Sequence, residues 1–193
     1  MKFIRRIYDW MGSKAHSRHG LVWLFALFFI EASVFIVPVD PLLILFCVEH
    51  RKKSFFFATL ATIASVLGGI AGYMIGYLLW DTVGARLVDL LISQATFQTV
   101  VARYELYQAW AVLLGAFTPI PYKAVTISAG FCKLSIVPFI IYSIIGRGAR
   151  FFLVAGAIYA WGARIKVFID KYFNYLVIAF TLILVLSCLV LKG

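Results

Sequence analysis

Five charged residues lie within apolar segments of the chain: Glu31, Asp40, Lys123, Arg147 and Arg150. Each charge near the centre of a bilayer costs about 2.5 to 3.5 kcal/mol on insertion scales, or about 15 kcal/mol for five unpaired ones. That sum is comparable with the stability of a whole domain, so these charges must be paired, hydrated or neutralised.

The residue types suggest two kinds of chemistry in a polar cleft between helices. Arginine can bind a phosphate group through two parallel hydrogen bonds, so the cationic side suits an anionic head group. A carboxyl group in apolar surroundings is readily protonated, so Glu31 or Asp40 is a candidate proton carrier. The alternative is a set of buried ion pairs that only fixes the fold. Arg147 and Arg150 are three residues apart and would share one helix face.

The composition is that of an integral membrane protein. Of 193 residues, 64% are hydrophobic and only 13% are charged, far from the balance of a soluble domain. The net charge of +10 comes from basic residues that flank the apolar runs, which favours an anionic lipid surface over nucleic acid as partner. The chain has three cysteines, and this odd number argues against a disulfide framework. Its histidines do not indicate a metal site.

Two proline-broken segments would position the charges. The first, residues 21–50, contains Pro38 and Pro41; the second, 106–133, contains Pro119 and Pro121. Each is too short for two full spans, and proline removes backbone donors where a membrane helix would be at mid-depth. Such breaks are tolerated only within protein or beside a wet cavity, so both segments are interpreted as hairpins that return to their own side.

The remaining segments complete the predicted architecture. Spans are expected at 54–80 and 134–162, with an amphipathic surface connector at 81–105. A basic interfacial helix or tail is expected at 1–20, and a final transmembrane helix at 172–192. The 54–80 span carries small residues at every fourth position, which predicts close helix packing along Gly68, Gly72 and Gly76.

Loop charges predict the topology. If both hairpins return to their own side, the basic amino-terminal tail, the 51–53 cluster and the 164–171 loop share the cytoplasmic face.

The predicted fold class is an all-α integral membrane protein. It is an inverted repeat of two opposed re-entrant hairpins, each followed by a transmembrane helix, with a further transmembrane helix at the carboxyl end. In such repeats the substrate site is expected where the two breaks meet near the midplane.

The residues also resemble a known family. Glu31, the bend from Pro38 to Pro41, the Gly68-Gly69-x-x-Gly72 helix, the break from Phe117 to Lys123 and the Ser128-Ala129-Gly130 that follows resemble the DedA family of bacterial inner-membrane proteins, in the wider VTT superfamily, and most closely its YqaA-like branch. The resemblance covers about residues 22 to 165. Where the family often has an arginine before the Phe-x-Pro, this chain has Ala116, and Lys123 is offset beyond the break.

The resemblance implies a flippase or scramblase that moves phosphate-bearing lipids between leaflets. The expected partners are membrane lipids, anionic phospholipid or polyprenyl phosphate, and a homo-oligomer is compatible with this function. The family's acids in the first hairpin match Glu31 and Asp40. No nucleotide-binding loop and no catalytic set is present in the sequence, so neither an enzyme nor a cofactor is expected. The alternative function is a proton-coupled transporter of a small solute, with Glu31 and Asp40 as the relay.

Overall fold

The computed structural model describes residues 19–33, 39–84, 94–117 and 122–162. Residues 1–18 of the amino-terminal helix or tail predicted at 1–20 lie outside these ranges, as do Pro38, Pro119, Pro121 and the predicted carboxyl-terminal helix (172–192). Within them the chain forms seven α-helices and no β-strand. The helices are α1 (Gly20–Ser33), α2 (Asp40–Glu49), α3 (Ser54–Leu79), α4 (Gln94–Leu106), α5 (Gln108–Phe117), α6 (Tyr122–Phe131) and α7 (Ile136–Trp161).

Helix α3 lies at the centre and packs against α1, α6 and α7. It can approach them closely because one of its faces carries small residues. A Cβ atom on Gly68 would collide with the carbonyl oxygen of Phe29 in α1, and one on Gly76 with the carbonyl oxygen of Ile127 in α6. A Cβ on Gly72, between them, would lie 2.5 Å from the Thr126 hydroxyl.

Helices α1 and α2 form a hairpin that opens at the amino end of α3. Ala32, near the end of α1, lies against Gly68 in the middle of α3. Helix α2 returns to the start of α3, where the Ser54 hydroxyl donates to the Cys47 carbonyl at 3.4 Å. Phe46 and Phe57 meet edge to face at the same end, with ring centroids 5.2 Å apart.

Helices α5 and α6 form a second hairpin, which opens at the amino end of α7. The Gln108 side chain at the start of α5 donates to the Ser135 carbonyl just before α7, at 2.9 Å. Helix α6 runs alongside α3 in the same direction. Two contacts show this: Tyr122 lies beside Gly69, and Ile127 lies beside Gly76. The start of α6 is therefore level with the middle of α3.

Helix α7 runs antiparallel to α3. Its early residue Phe139 lies against Tyr73, with ring centroids 5.4 Å apart, whereas its late residue Tyr159 lies against Phe55 at 5.3 Å. Residues Arg51–Leu79 and Ile136–Trp161 are the two described helical stretches that are long and apolar enough to cross a membrane. They correspond to the two spans expected at 54–80 and 134–162.

A π-helical turn, Trp80–Gly84, follows α3, and α4 begins ten residues after Gly84. The Trp80 ring stacks on Phe97 of α4, with centroids 4.8 Å apart and planes 11° apart. Trp80 also meets Phe131 of α6 edge to face at 5.3 Å. This aromatic cluster attaches α4 to the carboxyl ends of α3 and α6.

Candidate functional site

Four of the five predicted charges meet in two ion pairs on one face of α7. Arg147 donates from Nη2 to the Glu31 carboxylate of α1 at 2.7 Å. One turn further along, Arg150 donates from Nη2 to the Asp40 carboxylate at the start of α2. The two pairs therefore link the second half of the chain to both arms of the first hairpin.

The Arg147 guanidinium makes hydrogen bonds and also contacts aromatic rings. Its Nε donates to the Ser65 hydroxyl of α3 at 2.5 Å, in addition to the bond to Glu31. The guanidinium lies over the ring of Tyr122, 4.8 Å from the centroid, and over that of Phe151 at 5.0 Å. Its side chain is only 4% exposed. A desolvated cation between aromatic faces and hydrogen-bond acceptors is a well-compensated buried charge.

Arg150 is less enclosed than Arg147. Its side chain is 11% exposed, and its Nη1 makes a long 3.5 Å contact with the Phe117 carbonyl at the end of α5. Asp40 occupies the first turn of α2, where the helix dipole favours a carboxylate, and Pro41 follows in a position that needs no backbone donor. Arg150 thus lies between the inner ends of both hairpins.

The carboxylates are the more exposed members of both pairs. The Glu31 side chain is 23% exposed and that of Asp40 is 27% exposed. The acids are therefore more accessible from outside the helix bundle than the guanidinium groups to which they are bound.

Two buried hydroxyl groups lie beside the Arg147 pair. Tyr122 and Ser143 are neighbours, yet within the described part of the chain neither hydroxyl has a partner in hydrogen-bond geometry. A Cβ on Gly69 of α3 would lie 2.7 Å from the Tyr122 hydroxyl oxygen, so the phenol fits the space that this glycine leaves.

The structure places the other predicted residues around this centre. Lys123 is half-buried in the first turn of α6, next to Tyr122. Gly68, Gly72 and Gly76 line the contacts of α3 with α1 and α6. Ala116, which stands where the family often has an arginine, is fully buried and would lie 2.6 Å from a Cβ on Gly146 of α7. No group of three or more His, Cys, Asp or Glu in the described ranges could hold a metal ion.

The sequence analysis missed three residues that surround Arg147: Ser65, Tyr122 and Phe151. Ser65 could have been found, because it shares a helix face with Gly68 and Gly72 at spacings of three and seven residues. Phe151 follows Arg147 by four residues, the spacing at which side chains on one helix meet. For Tyr122, its place beside the proline break was the only local signal.

The fold and the buried ion pairs define a helical membrane protein with charged groups in its interior. Residues 37–160 match the VTT domain family, and the chain belongs to this family, which includes the DedA proteins. The match contains α2 to α6 entirely and α7 as far as Ala160, and thus most of the site, whereas Glu31 precedes it.

The chain is similar to two proteins named without a function and to one named as a transporter. The chain is similar to an uncharacterized protein of Haemophilus influenzae, with 36% identity over 85% of this chain and 84% of that protein. It is also similar to the HI0703 homolog of Histophilus somni, with 32% identity over 85% of each chain. The undecaprenyl phosphate transporter A of Staphylococcus aureus is 28% identical over 67% of this chain and 68% of that protein. No solved structure matches the chain.

Proposed function

We propose that this protein moves phosphate-bearing lipids between the leaflets of the bacterial inner membrane, as a flippase or scramblase. The observation that carries the proposal is the pair of arginines on one face of α7, each bound to an acid of the first hairpin. A lipid phosphate that replaced a carboxylate would find a guanidinium already positioned for two hydrogen bonds. The similarity to a protein named as an undecaprenyl phosphate transporter favours a polyprenyl phosphate.

In this proposal the two hairpins are re-entrant and belong to an inverted repeat. The membrane domain extends over residues 21–162, with hairpins at 21–50 and 106–133 and a surface connector at 81–105. The breaks between their arms would form the centre of a polar cleft, with Glu31, Asp40, Lys123, Arg147 and Arg150 around it. The head group would cross there while the acyl chains stay in lipid, which lowers the cost of moving a charge through hydrocarbon.

The proposed orientation has the amino terminus in the cytoplasm. Arg51 of the basic 51–53 cluster donates to the carbonyls of Tyr159 and Ala160 at the end of α7. That contact supports a common face for this cluster and the basic loop after α7, as the positive-inside rule favours.

Reconstituted vesicles provide the test. Fluorescent phospholipid or polyprenyl phosphate should become accessible to a membrane-impermeant reductant in both leaflets when the protein is present. Arg150→Gln should abolish this movement while the protein still inserts and elutes as a single species. Arg103→Gln is the matched control, because Arg103 is an exposed arginine of α4. Equal lipid movement with wild type and Arg150→Gln would refute the proposal.

A proton-coupled solute transporter is the second candidate, favoured by the greater exposure of Glu31 and Asp40 within their ion pairs. The same vesicles distinguish it from a lipid transporter. Solute uptake that follows an imposed proton gradient, without movement of labelled lipid, would support the solute transporter. Loss of that uptake in Asp40→Asn would assign the relay.

A further inference from the structure

The two arginines of α7 differ in how deeply they are buried. Arg147 contacts residues of three other helices: Glu31 in α1, Ser65 in α3 and Tyr122 in α6. Arg150 binds the Asp40 carboxylate and contacts the Phe117 carbonyl at 3.5 Å, and its side chain is 11% exposed, against 4% for Arg147. An incoming anion therefore reaches Arg150 more easily than the more deeply buried Arg147.

Tyr122 is the part of the Arg147 environment that comes from the second hairpin. Its side chain is wedged between α3 and α7, with the hydroxyl against Gly69 and the ring under the guanidinium. The hydroxyl makes no hydrogen bond within the described residues, so the ring itself accounts for the contact with Arg147. With Phe151 on α7, it leaves little room for the guanidinium to turn away from Glu31.

We propose that Tyr122 is a positioning residue that fixes Arg147 against Glu31, and that Arg150 rather than Arg147 meets the transported anion. The second half of this statement rests on the proposed lipid function, whereas the first half does not. Arg147 then joins the two hairpins permanently, and the exchange of Asp40 for phosphate takes place on Arg150.

Chemical modification of arginine tests the first half without any ligand. Purified protein in detergent is treated with phenylglyoxal, and the rates at Arg147 and Arg150 are read by mass spectrometry of the peptides. Arg150 should react faster than Arg147 in the wild type. Tyr122→Leu should raise the Arg147 rate about ten-fold or more, because a desolvated cation–π contact is lost. Tyr122→Phe keeps the ring and should leave that rate unchanged.

Two further variants complete the test of Tyr122: one displaces its ring, and the other is a control. Gly69→Ala displaces the ring from the opposite helix, since its Cβ would lie 2.9 Å from Tyr122 Cε1. It should raise the Arg147 rate even if Tyr122→Leu fails to fold. Tyr159→Leu is the control, because that ring packs on Phe55 at the far end of α7. Equal rates at both arginines in the wild type, or an unchanged Arg147 rate in both Gly69→Ala and Tyr122→Leu, would overturn the role of Tyr122.

Ligand protection tests the second half. Farnesyl phosphate in phosphatidylcholine vesicles should slow modification of Arg150 and leave Arg147 unaffected, while farnesol, which lacks the phosphate, should protect neither. Protection of Arg147 instead would overturn the assignment of the two arginines. Protection of neither by farnesyl phosphate would count against the proposed anion site, and the ligand-free rates would still decide the role of Tyr122.

Discussion

Arg51 caps the carboxyl end of α7 by donating from Nε to the Tyr159 carbonyl at 2.6 Å. Its Nη2 donates to the next carbonyl, that of Ala160, at 2.7 Å. The last carbonyls of a helix have no partner within it, and a cation also interacts favourably with the helix dipole there. A residue of the loop after the first hairpin therefore holds the end of the last described helix.

Arg51→Ala should lower the unfolding free energy by about 1 kcal/mol, because the two carbonyls lose a charged donor but stay close to solvent. A thermal melt in detergent, followed by size exclusion, should show a decrease of about 2 to 4 °C. Lys52→Ala removes a neighbouring exposed cation and should have little effect. An equal decrease in both variants would mean that net charge, and not the cap, causes it.

Gly76→Ala should destabilise the protein by about 1 to 3 kcal/mol, since its Cβ would collide with the Ile127 backbone of α6. Gly148→Ala is the matched control, because its Cβ would lie 3.8 Å from the Thr62 methyl group, an ordinary contact. That variant should gain up to about 1 kcal/mol from helix propensity. The melting temperatures of the two variants should therefore move in opposite directions, and a similar loss in both would contradict the close approach of α3 and α6.

The Glu31–Arg147 pair should show strong coupling in a double-mutant cycle. Glu31→Gln alone leaves a buried, uncompensated guanidinium and should cost about 3 kcal/mol or more, whereas the double variant with Arg147→Gln should recover part of this loss. Unfolding by added dodecyl sulfate in mixed micelles provides the free energies. The Asp40–Arg150 cycle should give a smaller coupling because both of its side chains are more exposed. Equal couplings would contradict the difference between the two arginines.

The sequence predicted an all-helical chain with two long apolar helices, because proline breaks and long apolar runs are local signals. Both spans, and the helices on either side of residues 34–38 and 118–121, correspond to described elements. It also selected Glu31, Asp40, Arg147 and Arg150, since a charge in an apolar segment stands out without any knowledge of the fold.

Which acid binds which arginine did not follow from the sequence. The partners are 116 and 110 residues apart, and the choice depends on how far α7 is shifted along α1 and α2. A shift of one helical turn would place one arginine beside the other's acid and move the second arginine away from both acids, with no change in hydrophobic pattern. The contact of Tyr122 with Arg147 depends in the same way on where α6 begins along α3. The space left by Gly69 sets that position, because the Tyr122 side chain fills it.

The glycines between α3 and α6 also limit how this protein can move. A Cβ on Gly130 would collide with the Tyr73 carbonyl oxygen, just as one on Gly76 would with Ile127, so the two backbones touch from both sides. Helix α3 comes from the first half of the chain and α6 from the second. A transport cycle in which the two halves of the chain rotate as separate rigid bodies would first have to separate this contact between α3 and α6. A cycle in which α3 and α6 move together would leave it intact.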